Sequence, residues 1–227
     1  MTTDTQQLKK QIEKNKRLTA KLIIANKELV FQNKEKEKRA AELIIANKEL
    51  LFQNKEKEKR ANEKEILEVM AYNDPLTNIY NRQMFSKMIK KEKENQKRHG
   101  DTLCIIMFDI DHFKAVNDRF GHDIGDKVLI TLSKLVSKNL RVNDVFARWG
   151  GEEFMILLPR TEINDAYAKA EELRSLIEKY SDNTIPNITA SFGLTKLLDT
   201  DKEQSCFKRV DEALYGAKIR RNDVMKL

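Results

Sequence analysis

The chain has 227 residues, of which 35% are charged and 40% hydrophobic, enough for one catalytic-size domain and a solvated appendage. Residues 1–64 carry 17 Lys and Arg against 10 Asp and Glu, whereas the remainder carries 26 of each, so the net charge of +7 belongs to the N-terminal quarter. Because those bases alternate with acids and no aromatic residues interrupt the charged runs, we expect no nucleic-acid partner.

Cysteine usage and hydrophobic runs indicate the compartment. Cys104 and Cys206 have neither the spacing of metal ligands nor the density of a disulfide framework, which is typical of a reducing cytoplasm. The N-terminus lacks the apolar core of a signal peptide, and the apolar runs are far shorter than the roughly 20 residues that a membrane helix needs. We therefore expect a cytoplasmic protein with no membrane span.

Residues 1–72 predict a long helical stalk. Residues 22–42 recur almost unchanged as residues 43–63, a period of 21 residues that equals three heptads, and no Pro or Gly precedes Pro75. A period commensurate with seven favours a left-handed coiled coil. We expect the helix to end near Asn73-Asp74-Pro75, since proline cannot continue a helix and the residue before it resists helical geometry.

The heptad seam of this stalk is weak. Its two columns contain many polar residues. One column is Leu8, Asn15, Leu22, Leu29, Lys36, Leu43, Leu50 and Lys57, and the other is Ile12, Thr19, Asn26, Asn33, Ala40, Asn47 and Asn54. Polar seam residues fix register at a cost in stability, so we hypothesise a marginal parallel homodimer through the N-terminal coiled coil. The alternatives are an inert spacer and a single helix held by i,i+4 charge pairs.

Residues 73–227 predict a globular domain with elements in the order α-β-α-β-β-α-β-α. Periodicity and turn residues place these elements at 79–99, 102–111, 125–139, 144–149, 154–159, 162–180, 188–197 and 207–219. Gly150-Gly151-Glu152-Glu153 joins the two middle strands as a hairpin. This order predicts an α+β fold of the ferredoxin-like, polymerase-palm type and not a doubly wound parallel sheet.

Four acids occupy the strand ends of this predicted domain. Asp109 and Asp111 alternate off the end of one strand, and Glu152 and Glu153 lie on the hairpin turn. If the hairpin pairs beside the first strand, three or four carboxylates converge, which is costly unless cations occupy the cluster. Hard oxygen ligands of this kind suit Mg²⁺, which can stabilise in-line phosphoryl displacement. Each motif alone is more often a solvated turn or cap; their juxtaposition favours the metal.

Four ordered motifs resemble one known family. Residues 148–154 (RWGGEEF) are similar to the signature of the GGDEF-domain diguanylate cyclases, in its GGEEF form. The accompanying segments DPLTNIYNR (74–82), FDIDHFKAVNDRFGHDIGD (108–126) and DEALYGAKIRRND (211–223) resemble the entry, metal and guanine, and C-terminal phosphate motifs of that family. The resemblance covers residues 70–227 and implies a GGDEF domain that condenses two GTP into cyclic di-GMP, in a bacterial cytoplasm.

The resemblance also assigns roles to single residues. Asp109, the Ile110 carbonyl and Glu152 would hold Mg²⁺, or Mn²⁺, against the GTP phosphates, and Glu152 or Glu153 would help to deprotonate the attacking 3′-hydroxyl. The substrate contacts that it implies are guanine recognition by Asn117 and Asp126, a position close to the nucleotide for His122, and phosphate contacts from Lys114 and Lys218. Lys114 counts among the catalytic residues. The resemblance implies a second phosphate contact from Arg221 or Arg220. The choice between them stays open, because the C-terminal motif of this chain lacks the Gly that the family usually has there.

A further motif resembles the family's product-inhibition site. Arg141-Val142-Asn143-Asp144 has the Arg-x-x-Asp spacing just before the signature strand, where Arg141 and Asp144 would bind cyclic di-GMP. The simpler explanation is a surface salt bridge at a turn.

Two other functions compete with a cyclase. A degenerate domain would bind cyclic di-GMP as a receptor without making it, and a structural adaptor would only dimerise. The retained acids and Asn117 argue against the first alternative.

Overall fold

The computed structural model describes the backbone of residues 3–227 and the side chains of residues 7–64 and 66–227; the first two residues of the predicted stalk lie outside this range. Two compact units are present, one that extends to residue 65 and one of residues 66–227.

The N-terminal unit is a single helix. Helix α1 (Thr3–Tyr72) ends at Tyr72, as the sequence predicted, with Pro75 three residues beyond. Ion pairs at i,i+4 spacing, such as Glu35 with Arg39 at 3.9 Å, lie on its surface. Among the helices of residues 3–227, none has the combination of length and apolar character that crossing a membrane requires.

The second unit contains a six-stranded mixed sheet in the order β1-β3-β4-β2-β5-β6. The four central strands pair antiparallel, whereas the outer strands β1 and β6 pair in parallel with β3 and β5. The strands are β1 (Tyr80–Asn81), β2 (Leu103–Ile110), β3 (Val145–Gly150), β4 (Glu153–Pro159), β5 (Ala190–Leu197) and β6 (Val224–Lys226). The helices after α1 are α2 (Arg82–His99), α3 (Phe113–Phe120), α4 (His122–Ser137), α5 (Ile163–Lys179) and α6 (Glu203–Arg220).

Strand β2 lies at the centre of the core and is buried on both faces. Its even-numbered residues pack in one cluster with α4 and α5, and its odd-numbered residues from Leu103 to Met107 pack in another with α2 and α6. On the first face the Phe108 ring stacks on Phe154 at 5.1 Å and on Phe192 at 4.7 Å between centroids. A strand covered on both faces reads as a continuous apolar run, which is why the sequence identified it clearly.

The α+β fold of the ferredoxin-like type is confirmed, with differences at element ends. The predicted helix 79–99 begins instead at Arg82, because the Asn81 side chain accepts the Met84 N–H as a helix cap and residues 80–81 join the sheet. The predicted helix 125–139 begins at His122, and the predicted helix 207–219 begins at Glu203. Helix α3 and the short strands β1 and β6 were not predicted, since a helix of about two turns or a strand of three residues or fewer is too short to show a period.

Candidate active site

Three acids meet where β2 ends beside the β3–β4 turn. Asp109 lies directly opposite Glu153 in the antiparallel register of β2 and β4, and Glu152 lies on the turn just before β4. The predicted pairing of the hairpin beside β2 is therefore confirmed. Like charges placed opposite each other on neighbouring strands destabilise a sheet, so this arrangement needs a compensating cation.

Lys218 supplies a positive charge to this cluster from α6. Its Nζ lies 2.8 Å from Oδ2 of Asp109, whose side chain is 9% exposed. Burial raises the pKa of Asp109 to about 6, an effect that Lys218 opposes and that the carboxylates of Glu152 and Glu153 reinforce. Burial likewise raises the pKa of Glu153. The site is therefore an acid cluster that is only partly neutralised by its own lysine.

Asp111 does not join the cluster, contrary to the expected convergence of up to four carboxylates. Its Oδ1 accepts a hydrogen bond from the Ser191 hydroxyl at 2.7 Å, and its Oδ2 accepts from the Thr189 hydroxyl at 2.7 Å and from the Asn222 N–H at 2.9 Å. The residue is buried. A carboxylate with three protein donors ties the strand end to the loop after α6, and its role is structural.

The hairpin turn is held by a contact that sequence reasoning missed. Arg148 donates from Nε to the Gly151 carbonyl at 2.8 Å and from Nη1 to the Asp74 carboxylate at 3.1 and 3.2 Å. Burial raises the pKa of Asp74, but hydrogen bonds from Thr77 and Arg148 outweigh it and lower that pKa below its usual value. Gly151 adopts a φ of +52°, which glycine accepts without strain. Both charged residues lie in motifs that the sequence analysis identified, but the sequence pattern did not indicate that they pair.

Trp149 anchors the same turn from the other side of β3. Its ring packs edge-on against Phe207 at 4.9 Å and Phe85 at 6.0 Å between centroids, and the Arg82 guanidinium lies over it at 4.4 Å. Arg148 and Trp149, near the end of β3, thus both hold the turn that contains Glu152.

The residues expected to read guanine lie on α3 and α4. A Cβ atom on Gly125 would come within 1.9 Å of Asn117 Oδ1, so the bare face of Gly125 lets the Asn117 side chain approach α4 one residue before Asp126. The Asn117 backbone carbonyl accepts the Gly121 N–H, whereas no helix-capping bond from its side chain is present. His122 and Asp126 are both exposed on α4.

The predicted phosphate contacts lie on α3 and at the end of α6. Lys114 is exposed on the first turn of α3, and Lys218 contacts Asp109. Arg220 is the last residue of α6, and Arg221 follows with a φ of +61°, a conformation that usually falls to glycine. Both arginines are exposed, and their positions do not separate them as phosphate ligands.

Arg141 and Asp144 lie at the opposite end of β3, about 20 Å of strand from the acids. The Asp144 carboxylate accepts the Arg141 N–H at 2.8 Å, and no ion pair between the two side chains is found within the described residues. Burial raises the pKa of Asp144. The two residues border a groove of about 290 Å³ that also contains Lys169.

The donors at the acid cluster fit a hard divalent cation. Within residues 7–64 and 66–227, no three His, Cys, Asp or Glu side chains group closely enough to hold a metal ion. Asp109 and Glu152 would need a backbone carbonyl and phosphate oxygens to complete the shell, which is the coordination that Mg²⁺ prefers at nucleotide sites.

Comparisons with known proteins agree on one family. A family model described as "Diguanylate cyclase, GGDEF domain" matches residues 71–223. Diguanylate cyclase DgcM of Escherichia coli K12 is 36% identical over 155 residues, which are 68% of this chain and 38% of that protein, so the chain spans less than half of that relative's length.

Two solved structures resemble both units. The coiled coil and GGDEF domain of DgcB from Caulobacter crescentus, in complex with c-di-GMP, has a TM-score of 0.73 and 29% identity, and covers 78% of this chain and 97% of that one. Diguanylate cyclase SiaD of Pseudomonas aeruginosa, in complex with its activator SiaC, has a TM-score of 0.71 and 29% identity, and covers 98% of this chain and 88% of that one.

Proposed function

This chain belongs to the GGDEF-domain family of diguanylate cyclases, and we propose that it condenses two GTP into cyclic di-GMP with release of two pyrophosphates. The observation that carries this proposal is the meeting of Asp109 with Glu152 and Glu153 at the end of β2. Carboxylates grouped at a strand end suit the divalent cation that accompanies a nucleoside triphosphate.

Asp109, the Ile110 carbonyl and Glu152 would hold Mg²⁺, or Mn²⁺, whose Lewis acidity would stabilise negative charge on the phosphate oxygens. Glu152 or Glu153 accepts the proton of the 3′-hydroxyl, whose oxygen forms a bond to the α-phosphorus of the opposing GTP as the bond to pyrophosphate breaks. The raised pKa of Glu153 makes it a better proton acceptor than an ordinary surface carboxylate.

Asn117, Asp126 and His122 bind the guanosine side of each GTP, and Lys114 and Arg221 approach its phosphates. The Asn117 amide offers both a donor and an acceptor to the guanine edge, and Asp126 adds an acceptor. Lys218 holds Asp109 in place and adds a positive charge beside the phosphates. One GTP per domain means that two domains must face each other.

A parallel homodimer through α1 would bring the two domains together. The leucine column of α1 is exposed on the isolated helix, as at Leu22 and Leu29, and a second copy would cover it. The resemblance to a solved structure of a coiled coil with a GGDEF domain supports this use of the stalk.

Product inhibition at Arg141 and Asp144 completes the proposal. The groove beside them lies far from the acids, and the Arg141 guanidinium can bind a phosphate or a guanine edge in a bidentate manner. The solved complex of DgcB with c-di-GMP supports product binding by a domain of this type.

Purified full-length chain, incubated with GTP and Mg²⁺ and assayed by chromatography, should produce cyclic di-GMP. Glu152→Gln should reduce turnover by about a hundredfold or more, because it removes a charge needed at the reacting phosphates. The same change at the exposed Glu94 on α2 is the matched control and should leave the rate unchanged. Binding of cyclic di-GMP without turnover would instead indicate the receptor function, and undiminished activity of Glu152→Gln would remove the assignment of that residue.

A further inference from the structure

Helix α1 carries a second apolar stripe besides the leucine column. Ile24, Phe31, Ile45 and Phe52 share one heptad column, and each side chain is 65–67% exposed. These residues stand two positions after Leu22, Leu29, Leu43 and Leu50, and each residue of a helix turns by about 100°. The two columns therefore lie on nearly opposite sides of the helix, and we call the column of Ile24 the outer stripe.

A two-stranded coiled coil cannot bury both columns. If the leucines occupy seam position d, the outer stripe occupies position f, which points away from the partner helix. This step rests on the dimer proposed above. That dimer would leave two large apolar residues per repeat, such as Ile24 and Phe31, in water on each of its helices, which is costly unless another surface covers them.

Two rows of opposite charge flank the outer stripe. The row on one side is basic, with Lys27, Lys34, Lys48 and Lys55, and the row on the other side is acidic, with Glu28, Glu35, Glu42, Glu49 and Glu56. When two parallel helices pack face to face, opposite flanks meet, so the lysine row of one helix lies along the glutamate row of the other. An antiparallel arrangement would instead place like charges together. The outer stripe thus complements itself in parallel orientation.

We propose that the outer stripe binds the outer stripe of a second stalk dimer, so that dimers of this chain associate side by side with parallel helices. Because each dimer has two outer stripes on opposite sides, four copies are the smallest such assembly, and further dimers can add at either end. We call each pair of stripe residues, Ile24 with Phe31 and Ile45 with Phe52, an apolar collar. The collars recur every 21 residues, about 32 Å along the helix, so the collars of two dimers meet in register. The polar heptad between collars, with Lys38 in the same column, adds no apolar contact. The contact is therefore limited to the collars, and assembly depends on protein concentration.

Sedimentation velocity of the full-length chain, from the low to the high micromolar range, tests this assembly. The wild type should shift from two copies to four and more as concentration rises, whereas Phe31→Gln with Phe52→Gln should remain at two copies throughout. Lys38→Gln with Lys59→Gln, in the same column but outside the collars, is the matched control and should assemble as the wild type does. Glutamine keeps the helix propensity, so loss of assembly reports the stripe and not the helix.

A charge exchange tests the choice of partner. Glu28→Lys with Glu49→Lys should prevent the four-copy state, and adding Lys27→Glu with Lys48→Glu should restore it, because the two rows are then exchanged. A wild type that stays at two copies at every concentration, or a phenylalanine variant that still reaches four, would overturn the proposal and leave the dimer intact. One copy throughout would overturn the dimer as well, while the GTP assay judges the catalytic proposal independently.

Discussion

Asp109 at the end of β2 and Asp111 just after it stand two residues apart, yet their surroundings differ. Asp111 accepts three hydrogen bonds, one from a serine on β5 and two from loops, and Asp109 has one lysine against two neighbouring glutamates. A buried carboxylate with its lone pairs filled is part of the scaffold. A carboxylate whose pKa is raised to about 6, by burial first and then by neighbouring acids, suits the metal site proposed for Asp109.

Product inhibition can be tested at a single residue. Arg141→Ala should raise the cyclic di-GMP concentration needed for half-inhibition by about tenfold or more, since a charge-assisted hydrogen bond to the product is lost. The initial rate should not change, because Arg141 lies at the far end of β3 from the acids. Rates measured with added product provide the readout, and Lys208→Ala on the outer face of α6 is the control. Unaltered inhibition in the Arg141 variant would show that the product binds elsewhere.

At the scale of elements, the turn after α1 is bonded to the hairpin turn that contains Glu152. Asp74 follows the end of α1 by two residues, and Arg148 bridges its carboxylate to the Gly151 carbonyl. These side chains are 16% and 17% exposed, so the pair is shielded from water and worth more than a surface ion pair. The bond links the segment through which the chain enters the domain to the position of Glu152.

A double-mutant cycle tests this link. Asp74→Asn and Arg148→Met should each lower turnover by about tenfold, because each leaves a half-buried polar partner without its bond and loosens the turn. The double variant should be no worse than the more damaging single variant, since both changes break one interaction. Losses that multiply in the double variant would mean that the two residues act independently.

A second buried pair makes the domain sensitive to acid. Asp201 accepts hydrogen bonds from Arg209 at 2.6 and 3.0 Å and from the Leu198 N–H at 2.8 Å, and Arg209 is the main cause that lowers the pKa of Asp201 to about 2. The folded pKa lies below the unfolded value, so the stabilisation is present above about pH 4 and is lost as the pH falls towards 2.

Asp201→Asn should therefore lower the free energy of unfolding by about 2 kcal/mol at neutral pH, and by progressively less as the pH approaches 2. Urea unfolding at several pH values measures this difference. Asp199→Asn, at an exposed position two residues earlier, is the control and should have little effect. A destabilisation of equal size at every pH would contradict the electrostatic cause.

At the scale of the whole molecule, the proposed catalysis by two facing domains would make activity depend on assembly. Replacing Leu22, Leu29, Leu43 and Leu50 by Gln should separate the copies, because the apolar part of the seam is lost. Activity per chain should then fall by at least about tenfold at low protein concentration and rise as concentration increases, by mass action. Lys36→Gln with Lys57→Gln, polar positions of the same column, should retain activity. A leucine variant with concentration-independent, full activity would exclude the stalk from the mechanism.

The sequence predicted the long elements better than the short ones. The stalk helix, the strand around Phe108 and the Gly150-Gly151 hairpin were identified because each has a strong local signal: a 21-residue period, a continuous apolar run, and a glycine turn between apolar strands. Helix α3 was missed because eight residues with one buried side chain have little periodicity. The start of α2 was misplaced by three residues because a side-chain cap at Asn81, and not the hydrophobic pattern, ends the preceding strand.

By itself the sequence determined the family motifs, the fold class and the positions of the acids along the chain, since these depend on residue type and spacing. Only the tertiary structure decided which acids share a site. Strand register placed Glu153 opposite Asp109, whereas Asp111 lies outside the cluster and accepts a hydrogen bond from the loop after α6. It also decided that Lys218 contacts Asp109 and that Arg148 contacts Asp74. The first pair is separated by 109 positions in the sequence and the second pair by 74. Such contacts depend on how distant segments pack, and local pattern carries no information about that packing.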